Sequence, residues 1–211
     1  MEGEPGKEAI RDTVIRMIGV VVVTGASGFL YFRDNVLNLR MVASQFLTSG
    51  VTAGITYAAL HLPRFRDGVV ALLIWFIVLT FLVERPGLQV GILNFAYIAG
   101  VAGAVCVYVS FVRRGVVRGP LQRVAASGVV TAIANALITV LLGLTSRIVV
   151  FASVGFFAST VFRNLQYGTL VGIGIGVGAE LAELLIGKLK PEIPRPGAPA
   201  GDENSTPPAG R

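Results

Sequence analysis

Long runs of uncharged apolar residues constrain this chain more than any other feature. A run of about 18 or more residues can cross the hydrocarbon core of a bilayer as a helix, and backbone groups in lipid must be satisfied within that helix. Apolar residues make up 54% of the chain and charged residues 14%, whereas a soluble domain has about 25% charged residues. The sequence therefore predicts an all-α, polytopic integral membrane bundle with the lipid bilayer as a partner.

Seven apolar segments are separated by charged residues and turns. They are predicted at 14–32, 41–60, 69–83, 88–111, 124–144, 148–162 and 167–186. A signal peptide is an alternative for the first segment, but apolar residues resume at 29–32, which favours a retained helix. The third and sixth segments are short, at roughly 22 Å of helix. They must thin the membrane, extend into their loops or lie partly within protein.

The predicted organisation has three parts. A polar N-terminal tail occupies 1–12, a membrane domain occupies 13–187, and a C-terminal tail occupies 188–211. The C-terminal tail is rich in Pro, Gly, Ala and polar residues, a composition that cannot form a core and predicts disorder. The membrane domain divides into an extra helix and loop (13–40), a first repeat (41–111), a basic loop (112–123) and a second repeat (124–187).

The repeat is indicated by two echoed stretches. SGVTAGI at 49–55 returns as SGVVTAI at 127–133, and LQVGIL at 88–93 returns as LQYGTL at 165–170, with offsets of 78 and 77 residues. Small and apolar residues dominate both copies, so composition accounts for some of the matches. With three spans per copy and no spanning linker, the second copy would be upside down relative to the first, as in many transporters.

The positions of the basic residues bear on topology, because Lys and Arg collect on the cytoplasmic side. Seven spans with a cytoplasmic N-terminus place 10 of the 18 basic residues on that side. If segment 148–162 does not cross the membrane, six spans remain, both termini are cytoplasmic, and the split becomes 13 to 5. The charges favour six spans, but the repeat makes the third and sixth segments equivalent, so we predict seven spans with six as the alternative. A cell-membrane location with a cytoplasmic N-terminus is expected in both cases.

Two segments carry a stripe of polar side chains at helical spacing, and each stripe would occupy one side of its helix. The stripes consist of Gln45, Ser49, Thr52 and Thr56 on the second segment and Ser127, Thr131, Asn135 and Thr139 on the fifth. Since the repeat relates these segments, the stripes are expected to meet near the midplane and to line a path for a small solute or ion. Hydrogen bonding between helices is an equal alternative.

Glu180 and Glu183 are the two acidic residues inside an apolar segment, and they share one helix face. Such groups by default mark an ion or proton pathway. Alternatively, Glu183 reaches the interface near Lys188. Because Arg16 is the one arginine inside an apolar segment, no basic partner is expected for Glu180, and burial would favour its protonated form.

The segment Gly172–Gly178 has glycine at every second position. It resembles a phosphate loop, but no strand precedes it. Its Gly-xxx-Gly pairs predict close helix packing, including a homo-oligomer through the glycine faces. A helix break at a binding site is the alternative.

The remaining chemistry is sparse. No HExxH pair, acidic or histidine cluster, or Ser or Cys beside a base occurs in the apolar segments. The single cysteine, Cys106, excludes a disulfide within the chain, and His61 is expected at the interface. The net charge of +6 belongs to short loops, which argues against nucleic acid. We expect no enzyme, metal or cofactor. The sequence favours binding or passage of a small solute or ion; the alternative is a non-catalytic membrane scaffold or a subunit of a larger membrane complex.

Overall fold

A computed structural model describes residues 5–32, 46–62, 65–83, 88–145 and 154–189. Within these ranges the chain is helical and contains no strand. A short π-helix covers Phe46–Val51. The α-helices are α1 (Pro5–Phe32), α2 (Thr52–Leu60), α3 (Phe65–Val83), α4 (Leu88–Arg113), α5 (Pro120–Thr145) and α6 (Val154–Leu189). The predicted all-α class is confirmed, and the predicted C-terminal tail lies outside the described residues from 190 onward.

Three of these helices are long and apolar enough to cross a membrane. The stretches that meet both criteria are Lys7–Tyr31 of α1, Pro120–Leu144 of α5 and Phe157–Leu189 of α6, and α4 contributes a shorter apolar stretch, Ile98–Arg113. They indicate a membrane location, as predicted. The seven predicted spans are not confirmed.

Helix α5 has the side-chain distribution expected of a protein in lipid. Its polar side chains at 127, 131, 135 and 139 are buried, whereas the apolar side chains of Val129, Ile133, Leu137 and Leu141 are exposed. Two residues of helix turn through about 200°, so these sets occupy opposite sides. A soluble protein has the reverse arrangement, since exposed apolar surface in water is costly. The exposed side of α5 is suited to lipid.

Helix α6 corrects the predicted boundary between the last two segments. The sequence places a connection between 162 and 167, but α6 is unbroken over its 36 residues. At 1.5 Å per residue it is about 54 Å long, well beyond the roughly 30 Å of a hydrocarbon core. The prediction of two helices here is wrong, since Arg163 and Asn164 continue the helix.

The first helix has packing partners on two sides. Helix α1 packs along α6 on one side and along the π-helix and α2 on the other. Gly50 of the π-helix approaches the backbone of Gly25, and Gly54 of α2 approaches the backbone of Met17. The π-helix and α2 therefore also pack closely on α1. Helix α1 therefore lies between the N-terminal and C-terminal parts of the bundle, and its place as an extra helix outside two repeats stays a prediction.

The packed helices run in alternating directions. On α6, Gly172 meets Gly128 and Gly176 meets Val124, so α6 is antiparallel to α5; Gly174 likewise meets Thr24 while Gly178 meets Val20. Helices α2 and α3 form an antiparallel hairpin, since Gly68 meets Ala59 and Trp75 bonds Thr52. One end of the bundle therefore holds the first residues of α1, α3 and α5. The same end holds the last residues of α2, α4 and α6.

The inverted repeat is not confirmed. Its two echoed stretches have different local structure: Ser49 lies in a π-helix and Ser127 in a regular α-helix. Leu88 begins α4, whereas Leu165 lies in the interior of α6. The described part of the predicted first repeat consists of a π-helix and three α-helices. The described part of the predicted second repeat consists of two α-helices.

Candidate functional site at the charged end

Helix α6 has two opposed glycine faces, and together they position the site. Gly168, Gly172 and Gly176 contact α5, whereas Gly174 and Gly178 contact α1. Glycine at every second residue produces this arrangement, because two residues turn the helix by about 200°. The glycine run thus seats α6 between two neighbouring helices.

Both faces require glycine. A β-carbon at Gly172 would lie 2.7 Å from Gly128 Cα, and one at Gly178 would lie 2.8 Å from Val20 Cα. Backbone atoms at that distance cannot move aside as a flexible side chain can. The predicted packing role is confirmed, and α6 shows no break at the glycines. Both faces are covered within the chain, and the predicted homo-oligomer through glycine faces stays a prediction.

Two ion pairs connect α6 to the same two helices, one turn beyond the glycines. Glu180 accepts a hydrogen bond from Arg123 of α5, with Nη1 and Oε1 3.1 Å apart. Glu183 accepts two from Arg16 of α1, from Nε at 2.7 Å and from Nη2 at 3.2 Å. The end of the bundle that holds these four residues is called the charged end below. All four side chains are partly exposed.

The pairing of Glu180 corrects a sequence prediction. No basic partner was expected for it, because the fifth segment was taken to begin after Arg123. Helix α5 instead begins at Pro120, so Arg123 lies in its first turn and reaches Glu180. The expectation of an unpaired carboxylate is therefore wrong.

Tyr57 of α2 and His61, which directly follows that helix, complete the surroundings of Glu183. The Tyr57 hydroxyl lies 3.5 Å from Oε1 of Glu183, a long contact, and its ring centroid is 4.5 Å from that of His61. Nδ1 of His61 lies 2.8 Å from the carbonyl oxygen of Tyr57. His61 follows the last residue of α2, and its burial lowers the pKa of the imidazole. The imidazole is therefore neutral near pH 7.

The polar stripe of the second segment bonds within the bundle. Ser49 shares a hydrogen bond with the Tyr167 hydroxyl of α6, Trp75 Nε1 donates to Thr52 Oγ1 at 2.9 Å, and Thr56 Oγ1 donates to the Thr52 carbonyl at 2.7 Å. Gln45, the fourth member, lies outside the described residues. The described members are buried, and their predicted role in a solute path stays a prediction.

The polar stripe of α5 faces the glycines of α6. Asn135 Nδ2 donates to the Thr131 carbonyl at 3.0 Å, and Thr139 Oγ1 donates to the Asn135 carbonyl at 2.8 Å. Among the described side chains, four buried polar atoms have no hydrogen-bond partner: Thr24 Oγ1 on α1, and Arg123 Nε, Ser127 Oγ and Asn135 Oδ1 on α5. Such atoms are uncommon in folded proteins, and three of the four lie on α5.

The two stripes lie on helices with different main partners, so the prediction that they meet is not confirmed. In the described part of the chain α2 packs mainly on α1, α3 and α4, whereas α5 packs on α6 and α4. The close approach of α6 to both α5 and α1 occupies the position where a second polar stripe was expected. The structure instead brings together Glu180, Glu183, Arg16, Arg123 and Tyr57.

Sequence reasoning missed Arg123 and Tyr57 as members of this group. Arg123 could have been found from the Pro at 120, since Pro favours the first position of a helix and would have placed residue 123 in its first turn. The sequence carries no signal for Tyr57, whose place depends on the packing of α2 against α1. No group of three or more metal-ligating side chains is present among the described residues.

No protein-family model, curated protein or solved structure matches the chain.

Proposed function

We propose that this protein is a non-enzymatic, multi-pass membrane protein that binds or passes a small solute or ion, with the two ion pairs of α6 as its gate. One observation carries the proposal. Glu180 and Glu183 lie in a helix long enough to cross a membrane, and each pairs with an arginine of a different helix. Ionisable groups in such helices are costly and most often mark ion or proton pathways.

The ion pairs can respond to a ligand, whereas the glycine contacts cannot. A proton or cation that binds Glu183 competes with Arg16 for the carboxylate, and an anion competes for Arg16. Either ligand would release the start of α1 from the end of α6, while Gly174 and Gly178 keep the middle of the two helices together. Glu180 and Arg123 would act in the same way on α5. The proposed gate therefore opens by separating helix ends about a fixed centre.

The proposed topology is six spans with both ends of the described chain on the cytoplasmic side. It is supported by the unbroken α6 and by the alternating directions of the packed helices. Reporter fusions after Arg118 and after Lys190 are expected to give the same, cytoplasmic signal, because the turn after α4 and the end of α6 are at the charged end. Opposite signals would restore the seven-span reading and contradict the six-span proposal.

Flux assays in liposomes test the functional proposal. The full-length protein is reconstituted and screened with protons, alkali cations, small anions and neutral solutes; at least one should cross or bind specifically. Glu180→Gln is then expected to lose at least about tenfold in ion-dependent flux, since a neutral amide cannot bind a proton or cation as a carboxylate does.

Glu8→Gln is the matched control, because Glu8 is also on a helix but is exposed at the start of α1. It should keep wild-type flux. A Glu180→Gln protein that folds, reconstitutes and carries solute at the wild-type rate would rule out the proposed gate.

A scaffold or subunit role is the second candidate. It is favoured by the burial of the α5 stripe, which packs against the α6 backbone at Gly168 and Gly172. Small and polar residues that pack closely on a glycine backbone hold membrane helices together through van der Waals contact. A protein that carries and binds nothing in the solute panel, yet migrates in a larger complex from native membranes, would favour this role.

A further inference from the structure

The turn between α4 and α5 combines exposed arginines with exposed apolar side chains. Arg113, Arg114 and Arg118 are exposed, and so are Val116, at 63%, and Leu121, at 81%. The chain contains no acidic residue between Glu84 and Glu180. This turn therefore has a strongly positive charge and an apolar tip on the same short segment.

The shape of the turn is fixed by backbone hydrogen bonds. The amide of Gly115 donates to the Val112 carbonyl at 3.1 Å, and that of Val116 donates to the Phe111 carbonyl at 3.0 Å. These bonds close α4 around Gly115, whose positive φ of 68° favours glycine. On the other side, Oε1 of Gln122 accepts from the Arg118 amide at 3.2 Å. The arginines are thus displayed on a defined turn.

The partners of the three arginines within the described residues are backbone carbonyl oxygens, not carboxylates. Arg113 donates to the Leu60 carbonyl, and Arg118 Nε donates to the Gly115 carbonyl at 3.4 Å. Among the described residues none of the three forms an ion pair with a carboxylate, in contrast to Arg123, which pairs with Glu180. Three positive charges at this turn are therefore available to an anionic partner.

The position of the turn indicates which partner. Leu121 lies in the first turn of α5, and the stretch long enough to span a membrane begins at Pro120. The turn is therefore at a membrane interface, where Val116 and Leu121 can leave water. Guanidinium groups bind phosphate with two hydrogen bonds, and basic residues next to a membrane helix attract anionic lipids.

We propose that this turn is a binding site for the headgroups of anionic phospholipids, with Arg113, Arg114 and Arg118 on the phosphates and Val116 and Leu121 inserted among the acyl chains. The site does not depend on the proposed solute path. It requires an anionic headgroup and an adjoining apolar phase together, a combination that a membrane surface provides.

Native mass spectrometry of the full-length protein from nanodiscs tests this site. Discs of phosphatidylcholine alone and with phosphatidylglycerol are compared, and the wild type should retain phosphatidylglycerol preferentially. A variant carrying Arg113→Gln, Arg114→Gln and Arg118→Gln should retain it at least about tenfold more weakly, since each basic residue near an anionic surface contributes on the order of fivefold. The control carries Arg33→Gln, Arg147→Gln and Arg163→Gln and removes the same charge. Arg33 and Arg147 follow the last residues of α1 and α5 along the chain, and Arg163 is beside Tyr31 at the end of α1. This control should bind as the wild type does.

A fluorophore at Val116→Cys, in a Cys106→Ser background, tests insertion without altering the arginines. Quenchers on the acyl chains should quench it more strongly than aqueous iodide does, and phosphatidylglycerol should increase the difference. Equal retention of the two lipids, an equal loss in the control triple variant, or quenching from the aqueous side would overturn the proposal. Stronger retention of a short RNA than of phosphatidylglycerol would overturn it in favour of a soluble polyanion.

Discussion

Gly172→Ala is expected to melt several degrees below the wild type, while Gly187→Ala on the same helix melts at or above the wild-type temperature. The added β-carbon at 172 would lie 2.7 Å from Gly128 Cα, whereas nothing lies within 4 Å of the same atom at 187. Overpacking costs about 1–3 kcal/mol, and replacing a helical glycine with alanine gains about 0.5–1 kcal/mol where space is free. The two substitutions should therefore have opposite signs.

The melting temperature of both variants is measured in detergent, as the temperature at which the monodisperse fraction of the protein is lost. For a chain of this size about 1 kcal/mol corresponds to roughly 2–4 °C. Gly103→Ala on α4 provides a second control, since Gly103 is also free of neighbours within 4 Å. Equal melting temperatures for Gly172→Ala and Gly187→Ala would contradict the close packing of α6 on α5.

The membrane class could be predicted from the sequence because it depends on local composition. A long uncharged run is helical in lipid whatever its neighbours are. Helix α5 follows its predicted segment closely, whereas α1 contains its predicted segment but begins at Pro5, within the predicted polar tail. The burial of Ser127, Thr131, Asn135 and Thr139 was also readable, because a four-residue spacing places polar groups on one side of a helix. The helix against which this side of α5 packs could not be predicted from the spacing.

The continuity of α6 could not be predicted, because the sequence interrupts it with polar residues. Arg163 and Asn164 resemble a loop when a helix is expected to be as long as the bilayer is thick. A helix longer than the bilayer can carry them in its interior, and Arg163 accepts a hydrogen bond on its carbonyl from the Tyr31 hydroxyl of α1. The length of α6 is therefore decided by contacts with other helices.

The partners in the candidate site also depend on contacts remote in sequence. Glu180 and Arg123 are 57 residues apart, and Glu183 and Arg16 are 167 apart. Local patterns identified the carboxylates as unusual but could not pair them. The pairing follows from the two glycine faces of α6, since Gly176 aligns α5 at Val124, beside Arg123, and Gly178 aligns α1 at Val20, one turn from Arg16.

The same alignment gives the ion pairs a mechanical role that a double-mutant cycle can measure. The cycle uses Arg16→Gln, Glu183→Gln and the double variant. An exposed ion pair contributes roughly 1 kcal/mol, and breaking a fully buried pair costs about 3–5 kcal/mol. Because the side chains of Arg16 and Glu183 are partly exposed, we expect a coupling energy between these two values. Either single variant leaves one charge without its partner at the charged end. The double variant removes both charges and should recover part of the loss.

The pair between Arg11 and Asp12 is the matched control for this cycle. It has a similar distance of 3.1 Å, but it joins neighbouring residues of α1 and holds no second helix. Its coupling should stay below about 1 kcal/mol. The charge-swapped variant, Arg16→Glu with Glu183→Arg, should be more stable than either single replacement, because it restores opposite charges across the interface between α1 and α6. The coupling energy between Arg16 and Glu183 would be no larger than that of the control pair only if the glycine faces alone hold α1 to α6. That result would contradict the proposal that this ion pair keeps the gate closed.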